Sequence, residues 1–82
     1  MELHDNFVLA LIDFAVFIEF SGDELLDPDA GIEALENLSF RLNGLDSSTK
    51  EALVARMKTL AATYGKRESF VSSLADNLGI EL

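Results

Sequence analysis

Residues 7–20 read FVLALIDFAVFIEF, apolar at twelve of fourteen positions. Two readings compete for such a run. As a helix it is about 21 Å long, well short of the roughly 30 Å hydrocarbon core of a bilayer. Asp13 stands at its centre and Glu19 near its end. The run is therefore read as one helix of a globular protein, over about 5–20, and not as a membrane span.

Its faces follow from counting at about 100° per residue. Phe7, Leu11, Phe14 and Ile18 form one stripe. Leu9, Ile12, Val16 and Phe20 form a second on roughly the opposite side, with Asp13 and Glu19 on the margins between them. A helix on the outside of a small bundle needs one apolar stripe. Two stripes predict either a central helix wrapped by the rest of the chain, or a second interface. In the second case Leu9, Ile12, Val16 and Phe20 are the oligomer interface, and a homodimer is the commonest closed assembly.

Working outward, Gly22 follows this helix, and Ser21–Asp27 reads as an acidic connection with Leu25 and Leu26 tucked against the core. Asp27-Pro28 is a start signal, an N-cap acceptor followed by proline at the first helical position. A second helix is expected over 28–43, with Ile32, Leu35, Leu38 and Leu42 inward and Gly44 as a left-handed cap. Ser48 with Glu51 forms a capping box for a third helix. Its apolar positions are Leu53, Met57, Leu60 and Tyr64, and Gly65 closes it. A fourth helix over 67–78 places Phe70, Val71, Leu74 and Leu78 on one face, before Gly79.

No strand-like alternation, internal repeat or dividing linker interrupts this pattern. The fold expected is all-α, a single helical domain over 1–82 forming a compact four-helix bundle, mostly antiparallel with short loops. The chain contains no cysteine and is 49% hydrophobic, so its stability must come from packing, within the chain or supplemented by an oligomer or partner interface.

The net charge of −9 is unevenly spread. Residues 1–40 hold ten acids and no Lys or Arg, whereas residues 41–82 hold six bases and five acids. Such a field disfavours nucleic acid and anionic membranes as partners. Glu2 and Asp5 stand where a secretory leader needs positive charge, which predicts a cytoplasmic protein. The acidic half is expected to face a basic protein partner. Its binding residues are Glu19, Asp23, Glu24, Asp27, Asp29, Glu33 and Glu36, with Phe40 as an aromatic anchor among carboxylates. The alternative for Phe40 is packing beneath a neighbouring loop.

Catalytic, cofactor and metal chemistry find little support. His4 is the sole imidazole, so a Ser-His-Asp triad would rest on a residue at the chain terminus. An EF-hand loop begun at Asp27 meets Gly31 at its fifth position and Leu38 at its twelfth, where oxygen ligands are required. The expectation is a protein that is not an enzyme, with no cofactor and no metal.

Leu45-Asp46-Ser47, at the start of a helix in an acidic helical protein, resembles the attachment motif of acyl carrier proteins. That resemblance implies phosphopantetheine on Ser47. Ser48 replaces the leucine expected after the serine, and Lys50, Arg56 and Lys58 reverse the family's charge on the following helix. In size, acidity and helical character the whole chain is similar to small immunity proteins that bacteria make against antibacterial toxins. That similarity rests on no motif. It implies an inhibitor that occludes the cationic cleft of a toxin acting in the cytoplasm.

Overall fold

Local capping chemistry sets where the helices begin. In the computed structural model, which describes residues 4–22 and 24–82, the Asn6 amide donates to Nδ1 of His4 at 3.1 Å and opens α1, Asp5–Phe20. Pro28 starts α2, Pro28–Asn43, after Asp27. Asp27 holds the cap position with extended backbone, but its side chain makes no capping hydrogen bond. Asp46 opens α3, Ser47–Leu60, by accepting from the Thr49 amide at 3.2 Å and from the hydroxyls of Ser48 (2.6 Å) and Thr49 (2.5 Å). The expected capping box from Ser48 is thus replaced by an aspartate cap two residues earlier. A carboxylate at that place caps the Thr49 amide in place of the Glu51 amide that Ser48 was expected to cap, and it complements the helix dipole.

The structure is all-helical and compact, with a Cα radius of gyration of 12.5 Å against the roughly 12 Å expected for its length. Three long helices are followed by short pieces instead of a continuous fourth helix. α3 tightens into a 3₁₀ stretch over Ala61–Arg67, then come α4, Glu68–Ser72, and α5, Leu74–Asn77. Gly65, at φ 55° and ψ −116°, turns the chain through a conformation that a Cβ would resist. Ser73, at φ −97° and ψ 0°, divides the expected helix 67–78.

α5 ends in a Schellman motif. The Gly79 amide donates to the Asp76 carbonyl at 3.0 Å and the Ile80 amide to the Ala75 carbonyl at 3.1 Å, with Gly79 at φ 70°. Gly44, by contrast, is right-handed at φ −78° and is not the left-handed cap expected. The C-terminal segment is instead clamped by α2. Asn43 donates to the Gly79 carbonyl (3.0 Å) and accepts from the Glu81 amide (2.8 Å), while the Ser39 hydroxyl donates to the Leu78 carbonyl.

The core joins Val8, Ile12 and Ala15 of α1 to Leu42 of α2 and to Leu53, Met57 and Leu60 of α3. Val71, Leu74 and Leu78 close it from the C-terminal pieces. This corrects the face assignment for α1. Its buried stripe runs between the two that large residues suggested. Ile12 is 0% exposed, and Leu9 and Val16 are half-buried against the same core, so the stripe Leu9, Ile12, Val16 faces this chain's own interior. Phe20, the fourth member, packs edge-on to Phe70 with ring centroids 5.2 Å apart, and the Arg67 guanidinium lies 3.5 Å from its ring centre. Nor is the helix buried all round. Phe7 (66%), Phe14 (43%) and Phe17 (54%) are exposed on the opposite side.

Two polar ties fix α1 along its length. Arg56 of α3 grips Asp5 with two bonds, Nε–Oδ1 at 2.9 Å and Nη2–Oδ2 at 2.7 Å. The Tyr64 hydroxyl donates to Asp13 Oδ1 at 2.7 Å. Burial first, then this bond, pushes the Tyr64 phenol above its ordinary value. The bonds from Arg56 hold the Asp5 carboxyl below the usual carboxylate range.

Asp46 is the strongest case. The Ser48 hydroxyl, then the hydroxyl and amide of Thr49, hold its carboxyl down to about 2 from an ordinary 3.8. A native pKa below the unfolded one binds fewer protons in the folded state, so folding gains stability above the unfolded value and loses it on acidification. The unfolding midpoint is therefore expected to fall as pH drops from about 4 toward about 2. Asp46→Asn should flatten that decline in thermal melts followed by circular dichroism. An unchanged acid slope in the variant would contradict the aspartate cap.

Candidate functional site

α2 organises the acidic half through two of its faces. Gly31, Leu35, Leu38 and Leu42, spaced four, three and four, form its inward line. Gly31 takes the place on that line expected for Ile32. It is buried because Ile18 and Leu26 occupy the space above it, and a Cβ there would lie 3.2 Å from Ile18 Cγ2 and 3.3 Å from Leu26 Cδ2. α1 and the connection thereby approach α2 closely at this one residue. Leu26 is tucked in as expected, while Leu25 is exposed.

On the outward face of α2, Asp29, Glu33, Glu36 and Phe40 recur at the same four, three, four spacing, and all are exposed. The structure thus places three of the expected partner-binding carboxylates and Phe40 on one helical stripe. Phe40 is 74% exposed and is not covered by a loop; the Arg41 guanidinium lies 6.0 Å from its ring centre. Glu24 and Asp27 are exposed in the connection. Asp23 lies outside the described residues.

Ile32, displaced from the inward line, is exposed on the shoulder of α2 and lines a groove of about 440 Å³. Leu35, Phe70, Leu74 and Leu78 supply its apolar floor. Glu19 of α1 and Glu36 of α2 line it as well. A smaller hollow of about 220 Å³ shares Glu19, Ile32 and Leu35 with it and extends the groove toward Ser21 and Pro28. Among the described residues, none of the side chains lining either hollow is basic.

Glu19 is the unusual member. Val8, Ile12, Ala15 and Glu19 follow a four, three, four spacing, so a carboxylate stands where the buried stripe of α1 would place its next core residue. It is exposed because the groove opens at that point. An apolar floor with carboxylates at its edge suits an elongated apolar group carrying a cation, as in the stem and head of lysine or arginine.

The remaining candidates are dispersed. His4 caps α1, and Ser47 is the exposed first residue of α3. Among the described residues no group of three or more His, Cys, Asp or Glu side chains is placed to hold a metal ion. No helix among them is long and apolar enough to cross a membrane. The groove itself escaped the sequence reading, although Glu19 in register with Val8, Ile12 and Ala15 was a signal that could have found it. No protein-family model, curated protein or solved structure matches the chain.

A carboxylate kept on a core-facing stripe withholds apolar burial from the fold. Glu19→Leu should extend the stripe into the groove and raise unfolding stability by about 0.5–2 kcal/mol. Denaturant unfolding measures this, and a loss of stability would show that Glu19 serves the fold.

Proposed function

We propose that this chain is a non-catalytic protein-binding module that receives a basic partner on its acidic half. The observation that carries the reading is the apolar groove bordered by Glu19 and Glu36, beside the outward stripe Asp29, Glu33, Glu36 and Phe40. Carboxylates accelerate encounter with a cationic surface, and apolar contacts then slow dissociation. Phe40 is an exposed aromatic at the end of the acidic stripe, the kind of side chain that anchors interfaces.

The biological role that suits this chemistry is an immunity protein, an inhibitor that covers the cationic cleft of a toxin in the cytoplasm. Enzymes acting on nucleic acid or nucleotides need positive charge at their active sites, so an acidic, groove-bearing surface has a physical reason to block them. The four-helix arrangement anticipated from sequence is not required; the acidic face needs α2 and the end of α1 held together. A self-associating structural or adaptor protein is the second reading, favoured by the exposed rings of Phe7, Phe14 and Phe17.

Capture of partners from native lysate on the tagged chain tests the first reading. A stoichiometric basic protein should be retained at low salt and released at high salt. Glu19→Lys combined with Glu36→Lys should weaken retention at least tenfold and reduce its salt dependence. Equal retention by the charge-reversed chain would refute the groove as the binding face.

A further inference from the structure

The outward face of α1 is distinct from the acidic groove. Taken round the helix, Phe7, Ala10, Phe14 and Phe17 cluster on one side, about 160° from Glu19 at 100° per residue. All four are exposed. The charges beside the face are few: Asp5 is paired with Arg56, and Asp13, still an anion, stands at its margin bonded to the Tyr64 hydroxyl. A basic partner drawn to carboxylates has little reason to settle there.

The four positions follow a three, four, three spacing, the seam of two packed helices. They are self-complementary in one register. In an antiparallel pair centred on residue 12, Phe7 lies opposite Phe17 of the other copy, and Ala10 lies opposite Phe14. Each large ring at the centre then meets a small residue, and a two-fold axis repeats every contact.

From these observations we infer that the face Phe7, Ala10, Phe14, Phe17 is an interface with a second copy of this chain, formed as an antiparallel α1–α1′ pair. The area sets its strength. At about 200 Å² per phenylalanine, the three rings expose on the order of 300 Å² per copy. The rings of the two copies together supply about 600 Å², which with their immediate surroundings falls in the small, transient class of interfaces, below about 1,200 Å². The dimer is therefore weak and concentration-dependent. Each copy carries a net charge of −9, so association works against mutual repulsion. Salt screens that repulsion and tightens the dimer, the opposite of its effect on a basic partner bound at the groove. The inference is independent of the basic-partner reading and rests on the self-association reading, to which it gives a face and a register.

Sedimentation velocity from micromolar to millimolar protein, at low and high salt, tests it. The mass should rise from 9.0 kDa toward twice that value with concentration, and sooner at high salt. Phe14→Glu should weaken association at least tenfold. Ala10→Phe separates this register from nonspecific stickiness, because a new ring opposite Phe14 obstructs the pair while adding apolar surface. It too should weaken association at least tenfold. Both positions are exposed in the single chain, so circular dichroism should report native helicity in each variant. A monomer throughout the range, association unchanged by Phe14→Glu, or association strengthened by Ala10→Phe would overturn the inference. The first of these would assign the face to a different partner.

Discussion

The structure depends on one narrow stripe of modest side chains. Val8, Ile12 and Ala15 are the residues of α1 that disappear into the core, and all three are smaller than the phenylalanines around them. Small residues let α1 lie close to α3, where Leu53 and Met57 fill the space. Full burial of side chains such as Ile12 or Leu53 is worth about 1.5–3 kcal/mol each. The consequence for the larger side chains is geometric. Once the narrow stripe faces inward, Phe7, Phe14 and Phe17 must face outward, and Glu19 must stand at the edge of the groove.

That orientation also explains where the scattered polar groups go. Asp5 meets Arg56 and Asp13 meets Tyr64, while Phe20 turns toward Phe70 and Arg67. Each tie joins α1 to a different part of the C-terminal half. The acidic first half therefore gives up little of its charge: Asp5 is neutralised, whereas Asp29, Glu33 and Glu36 remain in solvent on α2. The clamp from Asn43 and Ser39 holds the end of α5 against α2, and α4, α5 and the residue capping α5 supply Phe70, Leu74 and Leu78 to the groove floor. The fold thus places an apolar trough beside its most acidic helix.

Much of this was legible in the sequence where local chemistry decides. The extents of α1 and α2 follow from an uninterrupted apolar run and from Asp27-Pro28, and the buried Leu53, Met57 and Leu60 follow from their spacing. What was not legible depends on partners distant in sequence. The stripes of α1 were drawn through its largest residues, yet close packing favoured the smaller Val8 and Ala15. Ile32 was placed inward because nothing local announces that Gly31 will be filled from α1 and the connection. The fourth helix expected over 67–78 fails as a continuous element at Ser73, within a stretch whose apolar periodicity alone reads as helical, whereas the turn at Gly65 falls where the sequence placed the end of the preceding helix. Of the candidate site, the carboxylates and Phe40 were readable as exposed acidic helix, but the trough between them exists only after three segments converge.

The orientation of α1 is the premise on which both the groove and the outer aromatic face rest. The chain lacks cysteine, so thiol-labelling rates on single-cysteine variants along residues 7–19 report that orientation without background. At dilute protein, Val8→Cys, Ile12→Cys and Ala15→Cys should label slowly, while Phe7→Cys, Ala10→Cys, Phe14→Cys, Phe17→Cys and Glu19→Cys label fast. Slow labelling at 7, 14 and 17 with fast labelling at 8, 12 and 15 would contradict the orientation, and with it the reading of both surfaces.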